Sequence, residues 1–156
     1  MEDNYYRELW FTLRGLEYLI GVNPIFSSSI RLLIAQRLVR KLDDNKEAYH
    51  PDESTARYIR SVLEGVQTEY NLNDITLWRE KPSENSPFGF NGRTAIMEQL
   101  AVTEPIQKFI RGDVADINTN EIEKTARAEG MLTLEQKGVL AALRGDTTID
   151  EIGRVI

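Results

Sequence analysis

These 156 residues contain no cysteine and a single histidine, His50. Disulfides, thiolate chemistry and cysteine-ligated zinc are thereby excluded, and imidazole catalysis has one candidate. No lysine follows a glycine anywhere, so the Gly-Lys-Ser or Gly-Lys-Thr ending of a phosphate-binding loop cannot be built from this chain. Long apolar runs are missing too. Nothing approaches the ~20 consecutive apolar residues of a membrane helix, and the opening MEDNYYRELW is acidic where a secretory signal would be basic. A cytoplasmic location is expected. The balance of charge is not basic either: the formal net charge of −6 works against a phosphate backbone, whose affinity comes from clustered Lys and Arg. The basic triplet Arg37, Arg40 and Lys41 runs directly into Asp43 and Asp44, as at a solvated element end. No nucleic-acid partner is expected.

What remains is enough for a folded domain. With 41% hydrophobic and 28% charged residues, the composition is globular, and a chain of this length buries roughly 70% of its unfolded surface. Over residues 4–19, Leu9, Leu13, Leu16 and Ile20 share one helical face, with Asp3 as cap and Gly21 as stop. Asn23 and Pro24 open a second helix that should carry Ile25, Phe26, Ile30 and Leu33 inward. Ile30, Ile34 and Leu38 keep helical spacing, while RLVRKL (37–42) fits a short strand equally well. Residues 43–54 (DDNKEAYHPDES) read as turns, and Ile59, Val62 and Leu63 mark a helix ending at Gly65. A strand is expected over NDITLW (73–78), then a loop over 81–92. A second strand follows over 93–102, with Ile96, Leu100 and Val102 opposite Ala95, Met97 and Ala101.

The last third is marked by local chemistry. Thr103 precedes a short helix closed by Gly112. Asn118 with Glu121, Thr133 with Gln136, and Thr148 with Glu151 have capping-box spacing, and Gly130 and Gly145 sit where two of these helices should stop. The fold class is therefore α+β, mostly helical with a small β-sheet.

Several motifs suggest chemistry, and each has a plainer reading. Gly89 and Gly92 form a G-x-x-G frame like that of single-strand clamps, but glycines at this spacing also permit a tight turn into a strand. RGD occurs at 111–113 and at 144–146, in both cases at expected helix ends. His50 beside Asp52 and Glu53 resembles an acid–base cluster, yet one imidazole in a Pro-containing loop is usually exposed. Glu98 has no partner acid, and pairing with an arginine is expected. No catalytic residue and no metal site is read from these residues.

In this order the pieces resemble the C-terminal end of the type II secretion and type IV pilus assembly ATPases. IAQRLVRKL (34–42) is similar to the family's segment at the end of its RecA-like ATPase core. GFNGRT (89–94) and AIMEQL (95–100) resemble its return strand, and EGMLTL, GDTT and EIGRV its tail. The resemblance implies a core remnant over 1–42, an appendage over 43–92 replacing the usual zinc-binding insert, and a return strand with a helical bundle over 93–156. Without cysteines, zinc is not expected, and the appendage should rest on Tyr58, Ile59, Val62, Leu63, Ile75, Leu77 and Trp78.

The resemblance further implies a parent that hydrolyses ATP with Mg as a hexameric ring at the inner membrane, driving pilus assembly or secretion through a platform protein. This chain would brace that motor and couple its motion, with no nucleotide site and no enzymatic activity of its own. Gln36, Arg37, Arg40 and Arg93 would make subunit or core contacts, and Gly89 and Gly92 would serve the turn. Leu9, Leu13, Leu16 and Ile20 would face a missing sheet, so that the isolated chain repacks them or self-associates, for example as a dimer. The rival expectation is a stand-alone adaptor that regulates such a motor by protein binding.

Overall fold

A computed structural model describes residues 24–111, 113 and 119–156. The amphipathic stretch expected over 4–19, Gly112 and the Asn118 cap lie outside them. In chain order the elements are α1 (Pro24–Ser29), β1 (Leu32–Leu42), β2 (Lys46–Tyr49), α2 (Glu53–Val62), β3 (Leu77–Glu80) and β4 (Phe90–Ala101). Four helices follow, α3 (Glu104–Arg111), α4 (Thr119–Ala128), α5 (Leu134–Arg144) and α6 (Ile149–Val155). The fold is α+β, with two small sheets, β1–β4 and β2–β3.

The ambiguous stretch is a strand. Along β1, Leu33, Ala35, Arg37 and Val39 are more buried than their neighbours Leu32, Ile34, Gln36 and Leu38, the two-residue period of a pleated strand. It runs antiparallel to β4: the Asp43 amide donates to the Gly89 carbonyl (3.0 Å) and the Val102 amide to the Arg31 carbonyl (2.9 Å). On β4 the expected faces hold, with Ile96 and Leu100 buried and Met97 and Ala101 exposed. The second sheet was only half expected. β3 begins at Leu77 because residues 71–74 close a turn, the Asp74 amide donating to the Asn71 carbonyl. Its partner β2 lies inside the segment read as turns, in the register Lys46↔Glu80, Glu47↔Arg79, Ala48↔Trp78 and Tyr49↔Leu77. A four-residue strand rich in charge carries little apolar alternation, and its cross-strand ion pair Glu47–Arg79 (2.8 Å) joins residues far apart in sequence.

Two further expectations are corrected. Ile25 is exposed rather than inward, because α1 is only six residues long and the chain leaves the helix before Ile30 can share its face. Tyr58 is also exposed, its hydroxyl donating to Glu135 (2.7 Å) from the surface. Of the other expected appendage residues, Ile59, Leu63, Ile75 and Leu77 are buried, with Val62 against them; Trp78 is half-buried outside that cluster, its ring 5.0 Å from Lys46 Nζ.

Two compact units result, each assembled from separate stretches of sequence. One comprises Met1–Ala35 and Glu98–Thr133, where Leu100, Val102, Ile106, Ile110 and Ala126 are buried and Ile30, Leu33, Ile122 and Met131 pack against them. The other comprises Gln36–Met97 and Leu134–Ile156, with Ile59, Leu63, Leu77, Val139 and Ile152 at its centre. In the latter, α5 crosses α6 at Gly138, where a Cβ would come within 3.0 Å of Ile152 Cγ2. Thr148 caps α6 by accepting from the Glu151 amide (3.1 Å). Thr148→Ala is expected to lower stability by about 1 kcal/mol, read as an earlier midpoint in urea unfolding.

Candidate functional site

The most concentrated polar chemistry in the described residues lies where α6 meets β1. Glu151 begins as a local cap residue, but its side chain is wholly buried and turns to the strand. Its Oε1 accepts the Arg40 amide (3.0 Å), and its Oε2 accepts Arg40 Nε (2.9 Å) and Nη2 (2.7 Å). Arg154, one turn further along α6, donates Nη2 to Oε1 (2.6 Å) and Nε to Oε2 (3.0 Å). Five donors thus converge on one carboxylate. Hydrogen bonds from Arg154, then from Arg40, outweigh the burial that would favour the neutral acid, and hold the Glu151 carboxyl at about 2.

The surrounding groups fix the strand as well as the side chains. Thr147 Oγ1 donates to the Arg40 carbonyl (2.9 Å), and the Leu42 amide donates to the Asp146 carbonyl (2.9 Å). The polar backbone of β1 at residues 40–42 is therefore paired rather than left open. The Arg40 guanidinium also sits 4.2 Å from the centroid of the Phe90 ring. Nearby, Gly145 at φ +81° lets Lys46 Nζ reach its carbonyl (2.6 Å) while lying 5.0 Å from the Trp78 ring.

Such an arrangement immobilises; it does not transfer protons. A carboxylate that titrates near 2 and whose oxygens are saturated by guanidinium and amide donors is a poor base at neutral pH. His50, the other acid–base candidate, is solvent-exposed, 3.1 Å from the Ile75 carbonyl and 3.6 Å from Asp74. Its sequence neighbours are committed elsewhere: Asp52 caps α2 by accepting from the Thr55 amide, and Glu53 pairs with Arg60 (2.6 Å). Among the described residues no cluster of three or more His, Cys, Asp or Glu could hold a metal, and no helix is long and apolar enough to cross a membrane.

Of the residues expected from sequence to make contacts or turns, Arg40 alone enters this centre. Gln36 is exposed on β1; Arg37 is half-buried, its Nη1 3.4 Å from the Gln36 carbonyl; Arg93 is exposed on β4. Gly89 (φ +67°) and Gly92 (φ +76°) occupy the turn entering β4 and its first residues, both in the left-handed region. Glu98 is buried on β4. Arg144 and Asp146, the flanks of the second RGD, pair with each other across Gly145. Sequence reasoning missed Glu151, Thr147, Arg154 and Phe90. The available signal was Arg154 three residues after a glutamate already assigned to a cap.

Five donors on one buried carboxylate make this a structural ion-pair centre on an α+β fold. The family described as Type II/IV secretion system protein matches residues 12–154, and the chain belongs to it. It is 37% identical over 134 residues to a type II secretion system protein E of Xanthomonas campestris pv. campestris, covering 84% of this chain and 22% of that one. It is 33% identical over 147 residues to the protein transport protein HofB homolog of Escherichia coli K12, covering 93% and 29%. To the type IV pilus assembly ATPase PilB of Pseudomonas aeruginosa it is 31% identical over 136 residues, covering 85% and 22%. The chain therefore spans less than a third of the length of these relatives.

Proposed function

We propose that this chain is the C-terminal part of an ATPase that powers type IV pilus assembly or type II secretion, and that it braces the catalytic core and couples its motion. The observation that carries this reading is the outer side of β1. Leu32, Ile34 and Leu38 are 49%, 51% and 55% exposed while Val39, on the opposite face, is wholly buried. A strand apolar on both faces belongs in a sheet covered on both sides, and the relatives supply several times more chain than is present here. In this reading the remainder of the parent covers β1, binds ATP and Mg, and closes into a hexameric ring on the cytoplasmic face of the inner membrane, against a platform protein. Gln36, Arg37 and Arg93 make the subunit or core contacts. Arg40 contributes indirectly, by holding α6 to β1.

A paired substitution, Ile34→Asp with Leu38→Asp, tests this. In the isolated chain both side chains face water, so stability should move by no more than about 1 kcal/mol. In the full-length parent the same pair should abolish ring assembly in sedimentation and reduce ATP hydrolysis at least tenfold. A parent variant with unchanged assembly and turnover would overturn the reading.

A further inference from the structure

The loop between β3 and β4 holds out a phenylalanine. Phe88 is 78% exposed, yet its surroundings are fixed by a dense set of bonds. Ser83 and Ser86 exchange backbone hydrogen bonds (3.0 and 3.2 Å), the Gly89 amide donates to the Ser86 carbonyl (2.9 Å), and the buried Ser86 hydroxyl donates to the Phe90 carbonyl (3.0 Å). The Gly89 carbonyl is in turn bound by the Asp43 amide. Gly89 itself is wedged so closely against Glu80 and Lys81 that an added Cβ would stand 2.7 Å from both the Glu80 Cβ and the Lys81 amide nitrogen. Pro87, immediately before the ring, restricts the backbone on its other side.

A single exposed apolar residue on a mobile loop needs no explanation. A large aromatic on a loop already ordered differs, because the entropy of ordering is lost on folding and not again on contact. This is how a binding anchor is presented. The charges beside it indicate what it meets. Glu80 and Glu84 are exposed and make no ion pair among the described residues; of the cations next to Glu80 in sequence, Arg79 is paired with Glu47 and Lys81 is exposed. Within a chain of net charge −6, that surround opposes an anionic lipid surface and favours a basic one.

We infer that Phe88 is the anchor of a protein–protein contact, inserting into an apolar pocket of a partner whose rim carries Lys or Arg opposite Glu80 and Glu84. The test places the photoreactive phenylalanine analogue p-benzoylphenylalanine at position 88, in the protein expressed in its own cells. The expected result is one protein adduct, mapped by mass spectrometry to an apolar segment flanked by Lys or Arg. Its yield should fall at least fivefold when Glu80→Gln and Glu84→Lys are combined. Thermal midpoints should stay within a few degrees throughout; if the analogue at 88 unfolds the protein, the probe moves to the exposed Asn85. No adduct, an adduct with lipid, an adduct with another copy of this chain, or a yield indifferent to the two glutamates overturns the proposal.

Discussion

Glu151→Gln is expected to destabilise the protein by about 3 kcal/mol at neutral pH, measured by chemical unfolding. The amide keeps the shape of the side chain but points an N–H₂ at guanidinium groups that can only donate, and it removes the charge that two arginines share. Losing one partner of a buried ion pair costs about 3–5 kcal/mol. The lower figure applies because Arg40 and Arg154 are 48% and 60% exposed and can rehydrate. The pH dependence has a definite sign. The Glu151 carboxyl titrates at about 2 in the folded chain against 4.5 ordinarily, so its contribution is fully present above about pH 4.5 and is lost as pH falls toward 2. At about 1.4 kcal/mol per pH unit, the ceiling is again about 3 kcal/mol. The gap between wild type and variant should therefore be constant from pH 5 upward and should close in acid. A gap that persists unchanged at pH 2 would assign the effect to packing instead of charge.

Gly89→Ala should be nearly as damaging, and Gly92→Ala should not. Both glycines have positive φ, which costs an L-residue about 1–2 kcal/mol. At Gly92 that is the whole effect, since a Cβ would meet open space; at Gly89 it would strike the Lys81 backbone at 2.7 Å. Backbone there cannot swing aside as a side-chain tip could. A loss of at least about 3 kcal/mol is expected for Gly89→Ala, against about 1 kcal/mol for Gly92→Ala, with the two compared in one set of urea titrations. Equal losses at the two positions would show that the loop relaxes around residue 89.

The sequence was informative where structure is local and silent where it is not. Helix ends declared themselves: Gly65, Gly130 and Gly145 adopt positive φ where stops were expected, and the strand over 93–102 showed its faces because every second residue chose a side. β1 stayed ambiguous because its stripe of Leu, Ile and Val satisfies helical and strand spacing together. β2 was invisible, since four residues dominated by Lys46, Glu47 and Tyr49 have too little pattern to separate a strand from a turn. The candidate site failed for a related reason. Glu151 does what a capping box asks of its backbone, donating its amide to Thr148, while its carboxylate accepts from Arg40, 111 residues away. Periodicity reports which side of an element is buried; it carries no information on which distant residue meets it there.

That separation also bears on the order in which the protein can be made. The unit containing Glu151 joins Gln36–Met97 to Leu134–Ile156, with the other unit's Glu98–Thr133 synthesised in between. While a ribosome is still producing the intervening segment, Ile59, Leu63 and Leu77 lack the helices that cover them, and β1 lacks the carboxylate and loop that pair its backbone at residues 40–42. At about 5–20 residues per second, this nascent surface persists for several seconds. An apolar strand waiting that long for its cover is the kind of segment that chaperones engage.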